Sequence, residues 1–301
     1  MNEDVSVKRE KGFSLVEMLV STAVFLPLVG AAVLLFGAGV DYYNAEQRTA
    51  QMNQEARNAV EIMSLEVAQA GTRRDITTIT AQTVTGSANS QSVQVTSNKG
   101  FSVGDQVIVD PGAQQETVQL TAAGTNSLSG IFKKSRASGA SVAFYGIPYL
   151  TGVVPPAGML PNSSVTATVL KFYGDCYDDG ILYYVEYAYN SATSQITKSV
   201  TPLTQAGKST PQVLIRNVRT VTGAAGPFTL YSDGQGAVTL VKVDVIAQST
   251  WQKDRRESRI SARLAAPGVA AASSISSDNQ KYGSAYTLPA TPANVVTWSS
   301  P

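Results

Sequence analysis

A chain of 301 residues, 43% hydrophobic and 15% charged with a formal net charge of +1, is neither a highly charged disordered protein nor an electrostatic partner for nucleic acid. It has no histidine, which excludes Ser-His-Asp and Cys-His catalysis and His-ligated zinc. Its single cysteine, Cys176, excludes a fold held by intrachain disulfides.

The first element is "GFSLVEMLVSTAVFLPLVGAAVLLFGAGV", Gly12 to Val40, whose only charge is Glu17. Phe13 to Val40 makes 28 residues, and a helix crosses a bilayer in roughly 20. Lys8, Arg9 and Lys11 precede the span and hold that end at the cytoplasmic face. A secretory signal would have an apolar core of about 7–15 residues followed by a cleavage site. This core is longer, and the helical pattern runs on past it. A plain membrane anchor explains everything except Glu17. An ionisable group within a span costs on the order of a few kcal/mol unless it has a partner or lies near the interface.

The residues "KGFSLVE" resemble the cleavage and methylation motif of class III signal sequences in type IV pilins and pseudopilins. The resemblance implies that a prepilin peptidase cuts between Gly12 and Phe13 on the cytoplasmic side and N-methylates Phe13. The apolar span then stays attached to the mature protein. It also implies a role for Glu17, which pairs with the N-terminal amine of a neighbouring subunit during filament assembly. Pairing removes much of the cost of a buried charge and sets the register between helices. Ser21, Ala23, Gly30 and Ala31 are among the small residues that let helices in lipid pack closely. Pro27 removes one helical hydrogen bond and is a candidate kink.

Beyond Val40 the helix turns amphipathic. Met52, Ala56, Ala59, Val60, Met63, Val67 and Ala70 recur at steps of three and four, with Glu55, Arg57, Glu61 and Glu66 read as off that stripe. Gly71 is the expected stop. From Phe13 to Ala70 one helix would measure roughly 85 Å at 1.5 Å per residue. A β-sheet is the natural cover for its outer stripe.

From Thr72 onward the pattern is β. "SVQVTS" (92–97), "QVIVD" (106–110), "ETVQLT" (116–121) and "SVAFYG" (141–146) read as short strands punctuated by glycines. The run containing "GFSVGDQVIVD" resembles a small β-module of phage and surface proteins. A proline-bearing connector follows. Then "ILYYVEYAY" places Tyr183, Val185, Tyr187 and Tyr189 on one face, and "VTLVKVDVIA" sets Val241, Val243 and Val245 against Lys242 and Asp244. "QVLIRNV" and "SRISARL" read as two more strands. The residues after Gly268 are small and polar with little pattern.

The order of these elements, with the N-terminal helix, resembles minor pilins of the PilW/PulJ type over residues 6–71 and roughly 165–268. Residues 72–150 depart from the shorter members. The expected fold is α+β: a long N-terminal helix packed on an antiparallel β-sheet, with an additional β-rich module. The expected divisions are a leader at 1–12, a helix at 13–71 that spans the membrane over 13–40, an inserted β module at 72–150, and a connector at 151–164. A pilin-type β domain at 165–268 and a flexible tail at 269–301 complete the chain.

Other candidate chemistry is sparse. "GDCYDDG" brings Asp175, Asp178 and Asp179 onto a turn, where oxygen ligands for Ca²⁺ compete with an ordinary polar hairpin. Its spacing is not that of an EF-hand. "WQKDRRESR" (251–259) clusters Lys253, Arg255, Arg256 and Arg259 with acidic residues between them. It reads as a solvated loop between strands in preference to a DNA-binding patch. The expectation is therefore a non-enzyme without cofactor or metal.

By resemblance the chain is a minor pilin of a type IV pilus, processed by prepilin peptidase and built into the filament or priming it. Its implied partners are other pilin and minor pilin subunits, the prepilin peptidase, the inner-membrane assembly platform and lipid, with no nucleic acid. It would cross the inner membrane once, keep its C-terminal domain in the periplasm, and reach the cell surface after assembly. The alternatives are a type II secretion pseudopilin and an anchored adhesin with 72–150 as its binder.

Overall fold

The computed structural model describes residues 14–112, 114–144, 152–251, 254–266 and 291–300. The chain divides into two compact units, Met1–Gln51 and Met52–Pro301.

Helix α1, Leu15–Ala68, passes through Pro27 without interruption. In the first unit its apolar side chains point outward on all sides. Leu19, Phe25, Leu34 and Phe36 are all more than 60% exposed. A helix that is apolar all round suits an apolar environment. Thr22 satisfies its hydroxyl within the helix by donating to the Met18 carbonyl at 2.6 Å.

In the second unit every residue of the expected stripe, from Met52 to Ala70, is buried. The helix gives way to a turn that ends at Gly71, whose φ of +77° is the left-handed value a glycine stop supplies.

The stripe packs on two antiparallel sheets. The first has the order β11-β10-β9-β8, with β8 Val169–Gly174, β9 Tyr183–Asn190, β10 Gln195–Pro202 and β11 Gln212–Ile215. The second joins β12 (Val218–Thr220), β14 (Val238–Trp251), β13 (Phe228–Ser232) and β7 (Ser164–Ala167), with β15 (Asp254–Ala265) along the other side of β14. One core unites Met63 and Val67 of α1 with Phe172, Val185 and Tyr187 of the first sheet and Val241, Val243 and Val245 of the second. The expected faces of "ILYYVEYAY" and "VTLVKVDVIA" are those observed. Close approach of α1 to β8 needs glycine: a Cβ built on Gly174 would lie 2.2 Å from the Gln69 carbonyl oxygen.

Residues 76–144 build a separate core. Strands β1 (Ile76–Ile79), β2 (Gln91–Gln94), β3 (Gln106–Val109), β4 (Glu116–Gly124), β5 (Ser127–Gly130) and β6 (Ser141–Phe144) follow the order β1-β6-β3-β4-β5-β2. A bridge between Thr80 and Val95 joins the last strand back to the first. Hydrogen bonds from Ala81 N to Gln94 O (2.7 Å) and Thr96 N to Ile79 O (3.0 Å) flank it. The sheet thus closes into a small barrel filled by Val107, Val118, Leu120, Leu128, Phe132 and Phe144.

At each end of β3 a buried arginine holds an aspartate. Arg73 binds Asp105, just before the strand, and Arg136 binds Asp110, just after it. The chain leaves for the barrel and returns at nearly the same place. Gly71 N donates to Tyr173 O at 2.8 Å, and Tyr173 N donates to Gly152 O at 2.9 Å. A Cβ on Gly152 would lie 2.1 Å from the Gly71 nitrogen.

Three expectations need correction. "QVLIRNV" is two strands, β11 and β12, divided at Asn217 with its φ of +54°. The described part of "WQKDRRESR" is strand, because β14 runs to Trp251 and β15 begins at Asp254, while Lys253 lies outside the described residues. Cross-strand pairs reward the extended form: Arg259 holds Asp244 at 2.8 and 2.6 Å. The end of the segment expected to be a flexible tail forms helix α2, Ala293–Ser299, with Val295 buried.

Candidate functional site

Glu17 lies in the first turn of α1 and is exposed, amid exposed Leu15, Val16, Met18 and Leu19. Its carboxylate is thus presented on an apolar helix within the first turn, where the helix dipole favours negative charge. Gly12 and Phe13 of the expected cleavage site, and the basic residues Lys8, Arg9 and Lys11, lie outside the described residues. α1 is long and apolar enough to cross a membrane.

A second polar cluster lies where α1 meets the sheet, at Glu66. The expectation that it lies off the stripe needs correction, because it is buried. Its position three residues after Met63 and four before Ala70 puts it on the apolar stripe itself, and that spacing is the signal of burial that the sequence carries. The Glu66 carboxylate accepts hydrogen bonds from the Lys198 ammonium and the Tyr187 hydroxyl. Burial first, then the Glu66 charge, pushes the Tyr187 hydroxyl far above its ordinary value. Burial also pushes the Cys176 thiol up to about 12, with Glu66 adding to the shift. That thiol is protonated at neutral pH and is not a nucleophile. The cluster ties α1 to β10.

A cleft of about 450 Å³ opens beside it, lined by Tyr177, Lys198, Ser209, Thr210 and Gln212. Lys198 already has Glu66 as its counter-ion.

The Asp175 turn has a structural task. The Asp175 carboxylate accepts the backbone N–H of Gly180 at 2.8 Å, of Asp179 at 3.0 Å and of Arg74 at 3.3 Å. Asp179 accepts from Ile181 N and the Tyr183 hydroxyl, both at 2.9 Å. Oxygens surrounded by N–H donors are turned toward positive dipoles and away from cation coordination. The turn instead docks the barrel, since Arg74 also donates to the Asp178 carbonyl at 3.0 Å.

Comparison with curated proteins gives no match, and neither does comparison with solved structures. Residues 7–38 match the model described as the prokaryotic N-terminal methylation motif. The match covers "KGFSLVE", Glu17 and most of the apolar span. The motif together with the exposed apolar helix supports membrane anchoring. The chain therefore carries a type IV pilin-like prepilin signal at its N-terminal end.

Proposed function

We propose that this protein is a minor pilin, cut between Gly12 and Phe13, methylated on Phe13, and assembled into a type IV pilus. The observation that carries the proposal is Glu17, a single carboxylate in the first turn of an exposed apolar helix within the methylation motif. Glu17 stands four positions after Phe13 in the sequence. In lipid or in a bundle of helices this charge needs a counter-ion. The amine of a neighbour's Phe13 supplies one and fixes the axial register. Lys8, Arg9 and Lys11 hold the leader at the cytoplasmic face until it is cut. Before assembly the protein crosses the inner membrane once, with residues after the span in the periplasm. The other subunits, the prepilin peptidase and the assembly platform are its partners.

The test is Glu17→Ala in cells that make pili. Membrane insertion and processing should persist, while the variant's share of purified filaments falls at least tenfold. Undiminished incorporation would overturn the pairing role. Loss of secretion with intact pili would point to a type II secretion pseudopilin.

A further inference from the structure

The cleft beside Glu66 exists because β11 is shorter than its neighbour. β10 runs Gln195–Pro202, while β11 pairs with it over residues 196–198. Val200 shares a face of β10 with Lys198 and lies past the end of that pairing. Val200 and Leu214 stay partly buried at the margin of the core and give the cleft its apolar lining. Its volume of about 450 Å³ falls within the range of about 300–1,000 Å³ usual for small-molecule sites.

The polar groups around it are held in place. Glu66 fixes the Lys198 ammonium. Ser209 N donates to Oγ1 of buried Thr201 at 2.9 Å, which pins the segment carrying Ser209 and Thr210. Tyr177 is 55% exposed, yet its ring packs edge-on with Tyr183, with centroids 4.8 Å apart at 87°. The Tyr183 hydroxyl is tied in turn to Asp179. An exposed aromatic ring already held in one place costs little further entropy when a ligand lies on it.

The lining also sets the chemistry of the ligand. Glu66 balances Lys198, and none of the other described lining residues is an Asp, Glu, Lys or Arg, so an ionic ligand finds no uncompensated charge. Ser209, Thr210 and Gln212 offer donors and acceptors together. A ligand hydroxyl also does both, whereas an anion only accepts. Tyr177, Val200 and Leu214 suit an apolar C–H surface, whose weakly positive hydrogens meet the negative face of an aromatic ring. A pyranose joins the two, with hydroxyls at its rim and C–H bonds on its faces.

We propose that this cleft binds a neutral saccharide, one pyranose ring lying on Tyr177 with its hydroxyls toward Lys198, Ser209 and Gln212. The site uses no residue of the methylation motif, so it stands or falls apart from the assembly role of Glu17.

The experiment uses the full-length protein in a detergent without a sugar headgroup. Maltose, cellobiose, lactose and N,N′-diacetylchitobiose are titrated in turn, with glucuronate and inorganic phosphate as charged probes, and saturation-transfer NMR reads the binding. At least one of the four neutral disaccharides should bind saturably in the millimolar range. Tyr177→Ala should weaken that binding about tenfold or more, and Gln212→Ala about threefold or more. Tyr177→Phe keeps the ring and should change it by less than about threefold. The Gln212 side chain is exposed, so its loss leaves the fold intact even where Tyr177→Ala disturbs the packing on Tyr183. Saturable binding of none of the four overturns the proposal. So does binding that either alanine variant leaves unchanged, or glucuronate or phosphate binding more tightly than every neutral probe.

Discussion

Arg73→Ala should open the barrel and leave the sheets of β7–β15 closed. The Arg73 side chain is 0% exposed and that of Asp105 is 6% exposed. Two hydrogen bonds of 2.6 and 2.9 Å join them, and the guanidinium lies 4.2 Å from the centre of the Phe144 ring. Arg73 also donates to the Gly100 carbonyl. Removing one partner of a buried pair costs about 3–5 kcal/mol, because the other charge is left without compensation. At about 1.4 kcal/mol per tenfold, amide protection in β1–β6 should fall by about two to three and a half orders of magnitude. Amides of β8–β10 should keep theirs, since the two regions have separate cores. Hydrogen exchange read by mass spectrometry on the full-length protein in detergent separates the two. A loss in the barrel of less than about tenfold, or an equal loss in both regions, would refute the assigned role of the pair.

Two further predictions concern the same unit. Replacing residues 73–151 by a Gly-Ser-Gly turn should leave α1 and the β8–β15 sheets folded, because Gly71 and Gly152 lie side by side through Tyr173. The replacement removes the hydrogen bonds that Arg74 gives to Asp175 and Asp178, at a cost of about 1–3 kcal/mol each, read as a modest drop in melting temperature. Collapse of those sheets would show that the barrel is needed to fold them. The Arg259 hydrogen bonds come first in holding the Asp244 carboxyl below its ordinary value, ahead of the contribution from Lys242 and against the effect of burial. Its folded pKa is depressed, so its stabilisation is full above the ordinary carboxylate value of about 3.9. That stabilisation is lost as pH falls through the lower folded value. A carboxyl chemical-shift titration should place the Asp244 midpoint below about 3.9, and Arg259→Leu should move it upward. An unmoved midpoint would contradict the pairing.

What the sequence makes legible follows from the range of the interactions involved. The stripe from Met52 to Ala70 is readable because helical period alone decides which side chains face a partner. Alternation places Val241, Val243 and Val245 inside for the same reason. Barrel closure is not readable, since the Thr80–Val95 bridge depends on curvature summed over six strands and leaves no local pattern. "ITTI" at β1 is too short to separate from loop. α2 carries only Val295 and Trp298 as apolar anchors in a polar tail, and its helix exists by docking. That is why alternation along β9 puts Tyr184 on the outer face, although α2 covers it fully. Buried Arg73 and Arg136 resemble surface residues until Asp105 and Asp110 are folded against them. At the candidate assembly site the position of Glu17 within the apolar run is visible at once, because a lone charge in such a run has no local explanation.

The function proposed here requires that the N-terminal segment is a prepilin signal used as one. Intact-mass and N-terminal sequencing of the protein extracted from the membranes of its own host tests this most directly. The expected result is a mature chain beginning at N-methylated Phe13, with residues 1–12 gone and the apolar helix retained. A chain beginning at Met1, or one cut beyond residue 30, would contradict it.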